Sequence, residues 1–360
     1  MSLRTLRTSY VLGMLIACGL AVSSHAAAAE RTSETDEQLH WALGRFPDAD
    51  ADKNGVLTET EARAYREKVQ SQAGANRNPN RGGERPAPTH ADVHYGPDAR
   101  QVLDVYLATS DKPAPLVIYI HGGGFVGGDK SSVAPDVIRR CHAAGVSVAA
   151  IHYRFVTTAP FPAPQQDAAR AVQFLRSKAT EWNLDATRFA AYGGSAGAGL
   201  SMWLGFHDDL ANPTSDDPVA RQSTRIKGVG SQGGQSTYDP NVIKAWVGGR
   251  AHEHPSIFKC YGIESIDQIT DPKLQPVYDE VSAIKHLTAD DPPVFMLYSE
   301  ADAPMPAGAK PGPGLHHPVF GHKLKAEMDK LGIESVYVHP SDKPPPQEDM
   351  LAHLLKWLAA

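Results

Sequence analysis

The sequence predicts an α/β fold, a mainly parallel twisted sheet with helices on both faces, preceded by a small helical module. Three observations carry this expectation. From about His90 onward, short apolar segments alternate with amphipathic ones, the pattern of doubly buried strands joined by helical crossovers. Two glycine-rich turns each follow such an apolar segment. The N-terminal part has neither feature and carries an acidic loop of fixed spacing instead. With 360 residues, 41% of them hydrophobic, the chain is long enough for one large domain and an appendage. Its 35 Lys+Arg against 41 Asp+Glu give a formal net charge of −6, which argues against a nucleic-acid binder with its basic stripe. No internal repeat is evident. Three cysteines cannot make a disulfide framework.

Residues 1–29 read as a secretory leader. Arg4 and Arg7 form a basic start, residues 10–22 are an apolar run too short to span a bilayer, and residues 23–29 offer A-x-A cleavage sites. The expected destination is the periplasm or the exterior. Leu15-Ile16-Ala17-Cys18 also fits a bacterial lipobox, so soluble export and lipid anchoring at Cys18 both stay open, and a membrane is a partner only through that anchor. Cys141 and Cys260 lack metal-ligand spacing and read as small buried hydrophobes.

Residues 30–72 form the predicted module. Asp50, Asp52, Asn54, Val56, Thr58 and Glu61 stand at positions one, three, five, seven, nine and twelve of an EF-hand-like calcium loop, with Gly55 at the turn and Leu57 as an apolar plug. Ser33-x-x-Asp36 and Thr58-x-x-Glu61 suggest capping boxes for helices at 38–46 and 62–72. Only one such loop is present, and the expected role is structural or docking. The competing reading is an acidic solvated turn. Residues 73–88, rich in Pro, Gly and Asn, read as a linker to a catalytic domain at 89–360.

In that domain, strands are expected at 102–107, 116–120, 146–153, 188–193, 293–298 and 335–338. Helices are expected at 133–144, 165–182, 198–207, 320–330 and 349–358. Gly193-Gly194-Ser195-Ala196-Gly197 falls between a strand and a helix, the setting of a nucleophile elbow. Small neighbours permit the tight turn, and the helix N-terminus favours negative charge near Ser195. His121-Gly122-Gly123-Gly124-Phe125 follows the strand at 116–120. Its glycines let backbone N–H groups approach an oxyanion, so the amides of Gly122, Gly123 and Ala196 are the expected oxyanion hole. Either motif alone could be a packing turn; two in this order and context point to acyl transfer.

With these motifs, residues 118–130 (IYIHGGGFVGGDK), 148–155, 159–179 and 188–199 (RFAAYGGSAGAG), the sequence resembles α/β-hydrolase esterases of the hormone-sensitive-lipase-like and feruloyl/acetyl-esterase-like kind. The resemblance covers roughly residues 90–360. It implies a Ser-His-Asp triad, an acyl-enzyme intermediate and no cofactor for catalysis. The family places its acid after the strand at 293–298, which matches Asp302, with Glu300 as the alternative. The histidine departs from the pattern. The family's position follows the last strand, where this chain offers His339 at the strand end and then nothing before His353 in the closing helix. His316 and His317, in a Pro/Gly-rich loop before the helix at 320–330, are preferred as the base; the competing reading is a pair of loop histidines capping that helix.

His121, Tyr153 and Arg154 read as braces for the loops, and Asp167 and Arg170 as packing and salt-bridge residues. Residues 234–285, with Tyr238, Trp246, Phe258 and Tyr261, fall where this fold inserts a lid or pocket wall, and they also read as ordinary core aromatics. The expected function is an exported serine esterase on short-chain or carbohydrate-linked acyl esters. The alternatives are a peptidase or amidase on the same fold, or a non-catalytic binding protein. No nucleic-acid partner is expected, and the oligomeric state stays open.

Overall fold

The computed structural model describes residues 32–35, 39, 43, 47–65, 85–342 and 349–360. The leader at 1–29 with Cys18, most of the helix expected at 38–46 and most of the linker lie outside these. The chain divides into two compact units, Met1–Arg77 and Asn78–Ala360. Among the described residues, no helix is long and apolar enough to cross a membrane.

The second unit is built on one eight-stranded sheet in the order β1-β2-β4-β3-β5-β6-β7-β8. The strands are β1 (His90–His94), β2 (Val102–Tyr106), β3 (Ala114–Ile120), β4 (Ser147–Ile151), β5 (Leu184–Gly194), β6 (Val229–Gln232), β7 (Val294–Leu297) and β8 (Ser335–Val338). β1 and β2 are antiparallel to their neighbours and the six strands from β4 to β8 are parallel. The helices are α1 (Pro135–Ala143), α2 (Ala163–Ser177), α3 (Ala196–Phe206), α4 (Pro240–Val247), α5 (Pro255–Tyr261), α6 (Gln275–Val281), α7 (Val319–Leu331) and α8 (Met350–Ala359). This is the mainly parallel α/β architecture the alternation predicts.

Alternate residues of the central strands feed two cores, as a pleated strand requires. Leu116, Ile118 and Ile120 of β3 pack with Leu175 of α2, Leu200 and Trp203 of α3 and Leu324 of α7. Val117 packs on the other face with Ile138 of α1 and Leu351, Leu354 and Trp357 of α8. Cys141 and Cys260 are free and buried in these cores, with burial pushing the Cys141 thiol up to about 12. Helix α2 stops at Ser177, short of the expected 182, because the chain turns there: Asn183 takes a left-handed φ of 51° and β5 begins at Leu184.

Strand register positions the chemistry. Ile120 pairs with Gly193 across β3 and β5, which sets the His121 loop beside the Ser195 turn. Gly194 pairs with Gln232, Gln232 with Leu297, and Leu297 with Val338, so the loops after β6, β7 and β8 leave the same edge. Ligand sites of open α/β sheets lie at such carboxyl ends, where neighbouring strands send their connections in opposite directions.

In the first unit, the loop at Asp50–Glu61 is held by its own carboxylates. Asp50 Oδ2 accepts from Gly55 N at 2.8 Å and Asn54 Oδ1 from Val56 N at 2.7 Å. Gly55 takes φ 84°, the turn for which glycine is suited. Leu57 is wholly buried with Leu39, Ala49 and Ala62. Thr58 and Glu61 make the expected capping box: Glu61 N donates to Thr58 Oγ1 at 3.1 Å, and Thr58 N donates to Glu61 Oε2 at 3.0 Å. Ser33 Oγ accepts from Leu57 N at 2.8 Å and Ser33 N donates to Leu57 O at 2.7 Å; Asp36, its partner in the expected capping box, lies outside the described residues. Thr32 pairs with Thr58 as a short antiparallel bridge against the loop.

Candidate active site

Ser195 sits between β5 and α3 with φ 53° and ψ −120°, a strained conformation for a residue with a Cβ, held at a cost of about 1–3 kcal/mol by its surroundings. Its own N–H donates to Gln232 O at 2.9 Å. The turn is feasible because glycines bring the backbones together. A Cβ on Gly197 would lie 2.0 Å from Ile120 O and 2.8 Å from His121 O, so α3 crosses the end of β3 closer than any side chain allows. On the facing loop, a Cβ on Gly122 would lie 2.7 Å from Gly194 O and 3.6 Å from Ser195 Cβ. Among the described residues, the amides of Gly122, Gly123 and Ala196 are not spent on turn or loop hydrogen bonds, and Gly122 packs against the Ser195 turn.

The structure brings His316 to the serine, with Nε2 2.8 Å from Ser195 Oγ. His316 Nδ1 lies 3.3 Å from Glu300 Oε1, so a proton on Nδ1 points at a carboxylate and the Nε2 lone pair accepts the hydroxyl. Asp302 is not in this relay. Its Oδ2 is 2.9 Å from His322 Nε2, because the loop after β7 turns Asp302 toward α7, where the His322 ring lies tilted against Tyr337. His317 is also not at the serine. Its Nε2 donates to Ala303 O at 2.9 Å and its Nδ1 accepts from Val319 N at 3.1 Å, so one nitrogen ties the loop after β7 and the other caps α7. The capping alternative thus describes His317, and it is His316 that reaches Ser195.

His339, at the family's usual histidine position, takes a different part. Its Nε2 donates to the Glu300 carbonyl at 2.7 Å, while Nδ1 accepts from Ser341 N at 3.2 Å. It fixes the loop that carries Glu300. His353 makes tilted ring contacts with Phe295 and Trp357 on the other face. Gln235 adds a second brace, donating from Nε2 to the Leu315 carbonyl just before His316. Neither brace has a pattern in the sequence that distinguishes it from an ordinary loop residue.

The oxyanion loop is supported from below. His121 Nδ1 donates to the Gly122 carbonyl at 2.8 Å. Tyr153 OH donates to the His121 carbonyl at 3.0 Å, and Tyr95 OH to the His152 carbonyl at 2.7 Å. Arg100, which the sequence did not single out, lies over the Phe155 ring and donates to His152 Nδ1 at 2.9 Å and to the Tyr153 carbonyl from Nε at 2.9 Å. Burial, with the Arg100 charge beside them, holds both His121 and His152 down to about 4. They are therefore neutral braces. Asp167 is buried and grips Arg154 through Nε and Nη2 as well as Gln101, and Arg170 pairs with Asp217. Tyr238 and Tyr261 pack in a buried cluster with Phe125 and Phe161, and Trp246 packs on Phe320. The core reading fits these aromatics, with Phe125 joining them to the oxyanion loop.

The profile of the BD-FAE family matches residues 103–309, more than half of the chain. The chain belongs to the BD-FAE family. Among curated proteins, this BD-FAE chain is similar to esterase LipC of Mycobacterium tuberculosis, 26% identical over 216 residues, 59% of this chain and 51% of that protein. It is also similar to an ethyl acetate hydrolase of Pseudomonas putida, 27% identical over 208 residues, 55% of this chain and 60% of that protein. The chain thus spans about half the length of the curated relatives it matches. Among solved structures, an acetyl ester-xyloside bifunctional hydrolase from Caldicellulosiruptor lactoaceticus superposes with a TM-score of 0.55 at 21% identity, covering 72% of this chain and 87% of that one. A truncated carbohydrate esterase from gut microbiota gives 0.58 at 19%, covering 78% and 99%. These likenesses establish the α/β-hydrolase fold.

Proposed function

We propose that this BD-FAE chain is a serine carboxylic-ester hydrolase. The observation that carries the proposal is the 2.8 Å approach of His316 Nε2 to Ser195 Oγ at a strained elbow lined by three backbone amides. His316 takes the hydroxyl proton as Ser195 attacks the ester carbonyl, and Glu300 stabilises the imidazolium. The amides of Gly122, Gly123 and Ala196 receive the charge on the carbonyl oxygen. His316 returns the proton to the leaving alcohol, and water, activated by the same imidazole, releases the acid from the acyl-serine. The curated esterase relatives support ester over amide substrates, and the ethyl acetate hydrolase supports a short acyl chain. Carbohydrate-linked acyl esters suit export through the leader at 1–29. The test is hydrolysis of p-nitrophenyl acetate alongside peptide anilides, with fluorophosphonate labelling of the wild type. Ester turnover and labelling lost in Ser195→Ala are expected. Faster anilide turnover, or equal labelling of Ser195→Ala, overturns the reading.

The N-terminal loop is proposed as a calcium site. Asp50, Asp52 and Glu61 each offer an oxygen within 4.8 Å of the other two, and amide bonds from Thr58 and Ala51 already hold the Glu61 carboxyl below its usual range. Each carboxylate keeps lone pairs beyond those bonds, so the donor set fits a hard cation. Calcium should raise the melting temperature, and Glu61→Ala should remove the rise. A calcium-independent melt of the wild type would reduce the loop to an acidic turn.

A further inference from the structure

The far end of α3 carries a cluster that the ester chemistry does not use. His207 caps this helix, roughly 18 Å along it from Ser195 at about 1.5 Å per residue. Its Nε2 lies 3.4 Å from Glu280 Oε1 of α6, and the His286 ring is centred 4.5 Å from its own. The three side chains each bring one ligand atom within 4.8 Å of the other two. All three are partly buried, and His207 is only 14% exposed.

The hydrogen bonds assign the ring protons. His207 Nδ1 donates to the Asp208 carbonyl at 2.9 Å, so its proton is there and Nε2 presents a lone pair to the Glu280 carboxylate. His286 Nε2 donates to the Glu280 carbonyl at 2.7 Å, a carbonyl that also accepts from Trp203 Nε1 at 2.7 Å. That leaves His286 Nδ1 as its electron-pair donor. Among the described residues, Glu280 has no Lys or Arg partner. Two imidazole lone pairs and a carboxylate gathered without a cation repel one another. The 3.4 Å between His207 Nε2 and Glu280 Oε1 fits the edge, about 3.3 Å, of a tetrahedron with metal–ligand bonds of about 2.0–2.1 Å. The second ring nitrogen of each histidine bonds a backbone carbonyl, as metal-bound histidines commonly do.

We infer that His207, Glu280 and His286 form a site for a zinc-like divalent cation, with water as the fourth ligand. Nitrogen-rich donors of this kind suit zinc and disfavour calcium. The ion clips the end of the helix that starts at Ser195 to the segment running from α6 to His286. This inference stands apart from the ester chemistry and is read by binding and stability.

The test takes the full chain, stripped with a chelator and titrated with zinc chloride against a chromophoric chelator, with melting followed in parallel. One tight equivalent and a raised melting temperature are expected, and cobalt(II) in place of zinc should give the visible bands of a tetrahedral site. His207→Gln and His286→Gln should each weaken zinc by about tenfold or more and lose the thermal gain, while metal-free ester turnover stays at wild-type level. Should either variant fold poorly without metal, Glu280→Gln, at a half-exposed position, should show the same loss. No zinc uptake by the wild type, or wild-type affinity in the folded variants, overturns the inference. So does loss of the zinc equivalent in Glu61→Ala, which would put the ion in the N-terminal loop.

Discussion

His316 and His317 are one backbone step apart, yet their rings engage different partners. One nitrogen of His316 meets the serine and the other meets Glu300, whereas the nitrogens of His317 are spent on the Ala303 carbonyl and on the Val319 amide at the start of α7. His316→Ala is therefore expected to lower kcat by about 10³-fold or more, and His317→Ala to leave kcat within a few-fold while lowering the melting temperature. Glu300→Gln should cost about 10²–10⁴-fold and Asp302→Asn little, measured as p-nitrophenyl acetate turnover. Loss of activity in Asp302→Asn with a fully active Glu300→Gln would displace Glu300 from the relay. Ser195 and its amides were legible because glycine spacing is a backbone requirement written directly in the sequence. The base and acid were narrowed to pairs only, since the direction of a side chain in an irregular loop depends on partners distant in sequence. For His316 those partners are the loop brace Gln235 and the backbone of Gly233, whose Cβ position lies 3.5 Å from the His316 Cβ.

Helix α3 and strand β3 are in backbone contact, and this governs what their residues tolerate. Gly197→Ala places a methyl 2.0 Å from the Ile120 carbonyl, with no flexible side chain able to yield. The variant should lose about 1–3 kcal/mol or more in denaturant unfolding and most of its turnover. Wild-type stability would show that α3 can lift off β3. The long apolar elements were legible for the ordinary reason that burial leaves a period. β6 was missed because Val229-Gly230-Ser231-Gln232 is short and three of its four residues are small or polar, and β1 because an edge strand of sequence HADVH has little to bury. Helices α4, α5 and α6 span seven or eight residues each and carry Pro in the first turn; two turns are too few to display an apolar face.

At the scale of the molecule, the buried imidazoles under the oxyanion loop couple stability to acidity. His121 and His152 titrate near 4 in place of the usual 6.5, so between those values the unfolded chain takes up protons that the folded one refuses. Stability should fall as pH is lowered from about 6.5 to about 4, by at most about 1.4 kcal/mol per unit for each histidine, and this contribution is flat above that window. Melting temperatures from pH 7.5 to 4.5 should show the decline, and His152→Asn should reduce its slope; identical slopes would remove these histidines as the cause. The division into a small acidic module and one large domain was visible as a change of pattern along the chain. Arg100 was not, since its role exists only once the ends of β2, β3 and β4 are assembled. The pairing of Ile120 with Gly193 has a further consequence. A slip of one residue there would move the amides by about 3.3 Å and invert every side chain of the strand, so the spacing between nucleophile and oxyanion donors is graduated in whole residues by the sheet.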